Sequence, residues 1–330
     1  MAISYIDAIQ QALREEMLRD DKVFIIGEDV GVMGGAFGAT KGLHEEFGAE
    51  RVIDSPLAEG IIVSASIGAA MAGLRPVPEI QFSDFITPAM DALTQQAAKL
   101  RYRSGGSQTC PITLRVCYGG GTGGGLYHSQ TNTTWFAHEP GLIVVAPATV
   151  ADAKGMLKAA IRQDDPVMYF EHKKLYRTPS IKSDVEEGDA ALRDLFKCAI
   201  RREGKDATIV TYGYMLIVAQ QAAEQIEHEL GVSIEIVDLR VLNPLDSETI
   251  LESVAKTHRL LVLQEDHRTL GIGSEISAIV AERAFDCLDA PILRVAAPDV
   301  PAIPASEPLE SFYMPNVEKT VEALKRILQY

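Results

Sequence analysis

Short apolar runs alternate with segments of helical period along the whole chain, and that alternation narrows the fold more than any other feature. In the first half, residues 23–27, 75–82, 111–116, 142–146 and 167–170 read as strands. Ile6, Ile9, Leu13 and Met17 recur at helical spacing ahead of them, and Ala89, Leu93, Ala97 and Leu100 line one face of a helix expected over 88–102. A further helix is expected over 151–162. The second half repeats the pattern, with strands at 208–212, 233–237, 260–264 and 292–295 and helices at 215–230 and 273–285. Strands separated by helices cannot close as hairpins, so they pair in parallel under helices that cover both faces. The expected class is α/β with two domains, each a mostly parallel sheet flanked by helices. They occupy residues 1–180 and 204–330, joined by a charge-rich linker over 181–203.

Composition removes several functions. The 330 residues are 47% hydrophobic, enough for two full cores, and carry a formal net charge of -15, which disfavours a surface that tracks nucleic-acid phosphates. Cys110, Cys117, Cys198 and Cys287 are dispersed without CxxC spacing, as in a reducing compartment, and no zinc site is suggested. No uncharged apolar run reaches the length of about 18 residues that reads as a membrane span. The first 21 residues form an amphipathic, acidic pattern unlike a signal peptide. A cytoplasmic protein is expected.

Candidate chemistry centres on Asp54-Ser55-Pro56-Leu57-Ala58-Glu59 and the charge-free run of residues 60–73. Pro56 and its neighbours read as a turn that delivers Glu59 to the mouth of an apolar helix. In a dry pocket that carboxyl would hold or pass a proton near neutral pH; in water it is an ordinary helix-start acid favoured by the dipole. Glu28 is the second candidate, because it follows the strand 23–27 where an open sheet places its ligand crevice, although it also reads as a loop acid that caps the next helix. Phe82 and Phe85 stand at a strand exit, either as plain core or where a planar ring would stack. The run Gly119-Gly120-Gly121-Thr122-Gly123-Gly124-Gly125 lacks both the P-loop ending and the GxGxxG spacing, so it reads as a flexible loop rather than a phosphate cradle. It delivers His128, which is structural or, at the end of such a loop, able to move towards a substrate. His267, at the end of the strand 260–264, reads as a cap or a ligand contact.

The blocks GEDVG (27–31), DSPLAE (54–59), EIQFSDF (79–85), AAKLRYRSGG (97–106), LYHSQ (126–130), AHEPGLIVVAPAT (137–149) and DPVMYFEHKKLYR (165–177) occur in one order. In that order they closely resemble the β subunit of the thiamine-diphosphate-dependent E1 component of 2-oxo acid dehydrogenase complexes, of branched-chain or pyruvate type. The resemblance runs over nearly the whole chain. It implies a transketolase-like pyrimidine-binding domain followed by a transketolase C-terminal-like domain, and an enzyme active only with an α subunit. With that subunit it would decarboxylate a 2-oxo acid oxidatively and transfer the acyl group to the lipoyl arm of E2. The β subunit of an acetoin dehydrogenase and a subunit that mainly docks E2 are the alternatives.

The resemblance also implies roles. Glu59 matches the glutamate that hydrogen-bonds N1′ of the aminopyrimidine and so favours the imino tautomer that deprotonates the thiazolium. Phe85 matches the aromatic that packs on the aminopyrimidine, Glu28 an acid lining the cofactor's neighbourhood, and His128 a loop histidine that assists acyl transfer. Ile112, Ala160, Ile161, Gln163 and Asp165 match positions whose backbone carbonyls bind potassium in some members. The motif that holds Mg²⁺ and the diphosphate is missing, its one near match, Glu187-Gly188-Asp189-Ala190, falling in the expected linker. The resemblance therefore implies half of a site, completed by an α subunit in an α2β2 heterotetramer. Gly60, Ser64, Gly68 and Ala72 at four-residue spacing suit a close helix contact, with a partner subunit or within the chain. Ile61 and Ser64 stand where members usually carry glycine, which alters the packing expected beside the cofactor. Residues 131–135 also depart from the branched-chain pattern, with consequences for loop geometry and substrate preference.

Overall fold

The computed structural model of the chain describes residues 2–330. It divides into two units, one made of residues up to Tyr118 and Trp135–Leu195, the other of Gly119–Thr134 and Phe196–Tyr330.

The first unit contains β1 (Val23–Gly27), β2 (Val52–Asp54), β3 (Arg75–Ile80), β4 (Thr113–Tyr118), β5 (Ile143–Val145) and β6 (Val167–His172), ordered β5-β6-β4-β3-β1-β2 with every pairing parallel. β4 and β6 are buried at every position, which is why their sequences run apolar rather than alternating. β3 carries Pro76 and Pro78 in mid-sheet. The Arg75 amide bonds towards β1, to the carbonyl of Lys22 at 2.9 Å, so alternation turns both prolines towards β4. Pairing of β3 with β4 accordingly begins only at Glu79 and Ile80.

Helix Tyr5–Arg19 starts at a capping box, Ser4 with Asp7, and buries the face that Ile9, Leu13 and Met17 predict. Helix Val150–Ile161 starts at Thr149, whose side chain accepts from the Asp152 amide. The single helix expected over 88–102 is instead three pieces. A 3₁₀ segment Ser83–Ala89 contains Pro88, a wider π-type stretch covers Ala92–Ala97, and one α turn spans Leu100–Arg103. Pro88 supplies no amide to a continuous ladder, and the Ala98 amide reaches back five residues to Leu93. β2, three residues long, is too short to show a period in sequence.

The second unit contains β7 (Ala199–Arg202), β8 (Ala207–Thr211), β9 (Ile234–Asp238), β10 (Val241–Asn243), β11 (Leu260–His267) and β12 (Leu293–Ala297). Its sheet runs β12-β11-β8-β9-β7, parallel except for β7, which lies antiparallel to β9. β7 falls inside the stretch expected as linker. Helix Met215–Leu230 has the expected bounds and ends at Gly231 in the left-handed region. Helices Ser247–Thr257, Glu307–Tyr313 and Val317–Ile327 add to those read from the sequence. Each unit is thus an α/β layer structure with a mostly parallel sheet. Among the described residues no helix is long and apolar enough to cross a membrane.

Candidate active site

The carboxyl ends of β1, β2 and β3 lie level, with Gly27 in register with Asp54 on one side and Glu79 on the other. Side chains that follow these strands are therefore brought to one edge. Glu28 follows Gly27 directly. It is 6% exposed, and among the described residues its Oε1 has no hydrogen-bond partner. Burial, and then the negative charges of Glu59 and Asp29, push its carboxyl above the ordinary value. The chain then turns sharply. Asp29 adopts φ 57°, its carbonyl takes the Gly35 amide at 2.7 Å, and the Gly31 amide donates to Asp54 Oδ1 at 2.6 Å. A Cβ on Gly31 would lie 2.3 Å from that carboxylate, so only glycine fits.

Glu59 is the first residue of helix Glu59–Met71, whose N-cap, Ala58, offers no side-chain acceptor. The carboxylate thus stands at the positive end of an uncapped helix dipole. The helix presses on the 3₁₀ segment Ser83–Ala89: a Cβ on Gly60 would lie 2.9 Å from the Pro88 carbonyl oxygen. Phe85 sits on that segment, half-buried, edge-on to Phe82 at 5.9 Å, and Phe82 in turn meets Phe37 at 5.5 Å. Glu28, Glu59 and Phe85 all belong to the first unit, and the charge of Glu59 reaches Glu28. Ile61 and Ser64 turn outward, and the Ser64 hydroxyl bonds the Gly60 carbonyl of its own helix at 2.6 Å.

At four of the five positions matched to a potassium site the backbone carbonyl accepts a hydrogen bond within the chain. The Ile112 carbonyl takes the Val167 amide at 2.9 Å and that of Ala160 the Gln163 amide at 3.0 Å. Arg75 Nη1 donates to the carbonyls of Ile161 at 3.1 Å and Gln163 at 2.9 Å, while its Nη2 bonds Asp164 at 2.6 Å. The Asp165 side chain pairs with Arg101. Among the described residues no three His, Cys, Asp or Glu side chains gather as a metal-binding group.

His128 belongs to the second unit, on the segment Gly119–Thr134, and is exposed at the end of a single 3₁₀ turn Gly125–Tyr127. The end of β11 anchors this segment. Glu265 Oε1 accepts the Gly120 amide at 2.7 Å and the Thr131 hydroxyl at 2.9 Å, and Asp266 accepts the Thr134 hydroxyl. His267, read as a cap or ligand contact, lies with Nε2 3.1 Å from the Val300 carbonyl.

One group escaped sequence reasoning. Arg115 on β4 bonds Glu171 on β6 twice at 2.7 Å and Glu79 on β3 through Nη1, while the Tyr176 hydroxyl donates to Glu171 at 2.5 Å and lies 2.9 Å from Cys117 Sγ. All five side chains are buried. The available signal was a charge within each of three otherwise apolar runs, Glu79 in RPVPEI, Arg115 in TLRVCY and Glu171 in VMYFEH. Burial drives the Glu79 carboxyl upward against the pull of Arg115.

Two family descriptions match the sequence: the transketolase pyrimidine-binding domain over residues 1–179 and the transketolase C-terminal domain over residues 197–320. The 2-oxoisovalerate dehydrogenase subunit beta of Bacillus subtilis (strain 168) is 49% identical over 328 residues, 99% of each chain. The pyruvate dehydrogenase E1 component subunit beta of the same organism is 44% identical with the same coverage. That of Leifsonia xyli subsp. xyli (strain CTCB07) is 45% identical over 329 residues, 100% of this chain and 96% of its own. A solved structure described as a split gene transketolase in an inactive β4 tetramer superposes with TM-score 0.78 over 100% of this chain and 99% of that one. At 22% identity that likeness is one of fold. With relatives of this identity matched end to end, the chain belongs to the family of 2-oxo acid dehydrogenase E1 β subunits, built from a transketolase pyrimidine-binding domain and a transketolase C-terminal domain.

Proposed function

We propose that the chain is the β half of a 2-oxo acid dehydrogenase E1, binding the aminopyrimidine of thiamine diphosphate beside Glu59 while an α subunit holds the diphosphate and Mg²⁺. The observation that carries this reading is the Glu28–Glu59 arrangement: a buried acid with an oxygen unpartnered among the described residues, within electrostatic reach of Glu59 at the mouth of a helix that carries no other charge. Glu59 would bond the ring nitrogen N1′, and Glu28, whose carboxyl burial raises above the ordinary value, would line the same pocket. Phe85 would cover one face of the ring and exclude water. When bound, the cofactor supplies a nucleophilic carbon and an electron sink for decarboxylation. His128 would serve the later transfer of the acyl group to the lipoyl arm of E2.

The α partner is supported by the helix that Glu59 begins. Ile61 is 68% exposed and Met71 50%, on an element without a charge between residues 60 and 73, and Leu57 just ahead of it is 84% exposed. An uncharged face of this kind on an isolated chain calls for a covering surface. At the carbonyls of Ile112, Ala160, Ile161, Gln163 and Asp165, Arg75 already provides a fixed cation to two of the five.

Calorimetric titration of the chain with thiamine diphosphate and Mg²⁺, alone and then with its α subunit, tests the half-site. Binding only in the mixture is expected, and tight binding by the chain alone would overturn it. Glu59→Gln in the reconstituted complex should abolish 2-oxo acid turnover. Undiminished turnover would leave the chain with a docking role.

A further inference from the structure

The glycine-rich loop that carries His128 is held by carboxylates from its own unit. The backbone amides of Gly121 and Gly123 converge on Glu310: Gly121 reaches Oε1 at 2.8 Å, and Gly123 reaches Oε2 at 3.2 Å and Oε1 at 3.4 Å. Glu310 is 7% exposed. Successive amides turned inward in this way form an anion-binding nest, and here the chain fills the nest with its own side chain. This is why the run, despite its glycines, is no phosphate cradle.

The surrounding segment is shaped to the loop. A Cβ on Gly120 would lie 3.0 Å from Met314 Sδ and 3.1 Å from Ile303 Cδ1, and one on Gly125 would lie 3.0 Å from Ala305 Cβ. Gly121, Gly123 and Gly125 also adopt φ of 78°, 74° and 65°. So many glycines give the unfolded loop an unusually large conformational entropy, and order must come from specific bonds. Charge-assisted bonds from amides to a buried carboxylate are the strongest available.

We propose that Glu310 is a positioning residue for His128. Its carboxylate locks the loop five to seven residues ahead of the histidine, so that an exposed side chain at the tip of a glycine-rich segment is presented in one place. The inference rests on the reading of His128 in acyl transfer and adds the residue that holds it.

The test uses the α–β complex with thiamine diphosphate, Mg²⁺ and a free lipoyl domain as acceptor, and compares Glu310→Ala, Glu310→Gln and His128→Ala with the parent. Amide exchange over residues 119–131, read by mass spectrometry, should quicken about tenfold or more in Glu310→Ala, the loss of a charge-assisted bond. Reductive acylation of the lipoyl domain should fall by a similar factor of about ten, with decarboxylation to an artificial electron acceptor changed less than about twofold. Glu310→Gln keeps the shape and one acceptor oxygen, so it should restore part of both and remains informative if the alanine variant fails to fold. Unaltered exchange over 119–131 in both Glu310 variants overturns the proposal. Faster exchange with undiminished acylation overturns it too, provided His128→Ala lowers acylation. If His128→Ala leaves acylation intact, it is the reading of His128 that fails, and the positioning role falls with it whatever the exchange shows.

Discussion

Arg115 grips Glu171 through two parallel hydrogen bonds, Nε to Oε1 and Nη2 to Oε2, each 2.7 Å long, and neither side chain has any exposure to solvent. The same guanidinium reaches Glu79, so one cation on β4 serves two carboxylates on the strands either side. β3, the neighbour of β1, is thereby tied to β4 and β6 across the middle of the sheet. A buried ion group of this kind contributes less by its own attraction than it costs when broken.

Replacing Arg115 with methionine should therefore lower the stability of the isolated chain by about 3–5 kcal/mol, because Glu79 and Glu171 are left as buried acids without their cation. Arg115→Lys should recover only part, since an ammonium cannot reproduce the two-pronged geometry. Urea unfolding monitored by circular dichroism is the check. A loss below about 1 kcal/mol for the methionine variant would contradict the assigned network.

Gly60 and Gly68 share one helix and should respond in opposite directions. A Cβ at Gly60 would press on the Pro88 carbonyl at 2.9 Å, whereas nothing lies within 4 Å of one at Gly68. Gly60→Ala is expected to cost about 1–3 kcal/mol by overpacking. Gly68→Ala should stabilise the isolated chain by up to about 1 kcal/mol through helix propensity. Thermal melts of the two variants side by side decide the matter, and equal shifts would mean that the Gly60 contact is not tight.

The pH dependence of stability should carry the mark of Glu28. Its carboxyl is raised in the folded chain by burial first and by Glu59 and Asp29 next, so the unfolded chain releases that proton at lower pH. The folded state then binds more protons over the interval between the two values, and stability falls as pH rises through it. The contribution is fully present below the ordinary glutamate value and is lost once pH passes the folded one. Glu28→Gln should flatten that fall in the weakly acidic range and leave the chain more stable than the parent at neutral pH. Melting temperatures at stepped pH would expose a slope that survives the substitution.

The cysteines should separate by reactivity. Burial, then the charge of Asp165, pushes the Cys110 thiol up to about 12, and burial, then Asp246 and Asp238, pushes that of Cys198 up to about 12. Burial raises Cys117 as well. Cys287 is the one of the four that is not buried. With iodoacetamide near pH 8, peptide mapping should find Cys287 alkylated well before the others, because the thiolate is the reacting form. Early labelling of Cys117 would mean that the centre of the first sheet opens in solution.

Much of this architecture is written locally. Runs such as VFIIG and MLIVAQQAAEQIEHEL declare strand and helix through their own apolar period, and the order of those runs is enough for two α/β units of mostly parallel strands. Where local signals compete, the reading slips. Pro88 breaks an apolar period that looks continuous, and the three residues of β2 are too few to display one. The glycine-rich run looks loose because glycine carries no sign of what its amide will meet, and only Glu310, almost two hundred positions away in sequence, makes it ordered.

The site divides in the same way. Glu59 and Glu28 are visible as candidates because each stands at the edge of an apolar element, a property of neighbouring residues in the chain. That Glu28 keeps an oxygen unpartnered among the described residues, under the charge of Glu59, depends on the register that sets Gly27 level with Asp54 and Glu79. The Arg115 group likewise exists only because three strands from distant parts of the sequence lie side by side. Periodicity is local, so the chain itself announces its elements; burial, hydrogen-bond partners and the shift of a carboxyl's proton affinity are set by atoms brought together from afar, and tertiary structure alone decides them.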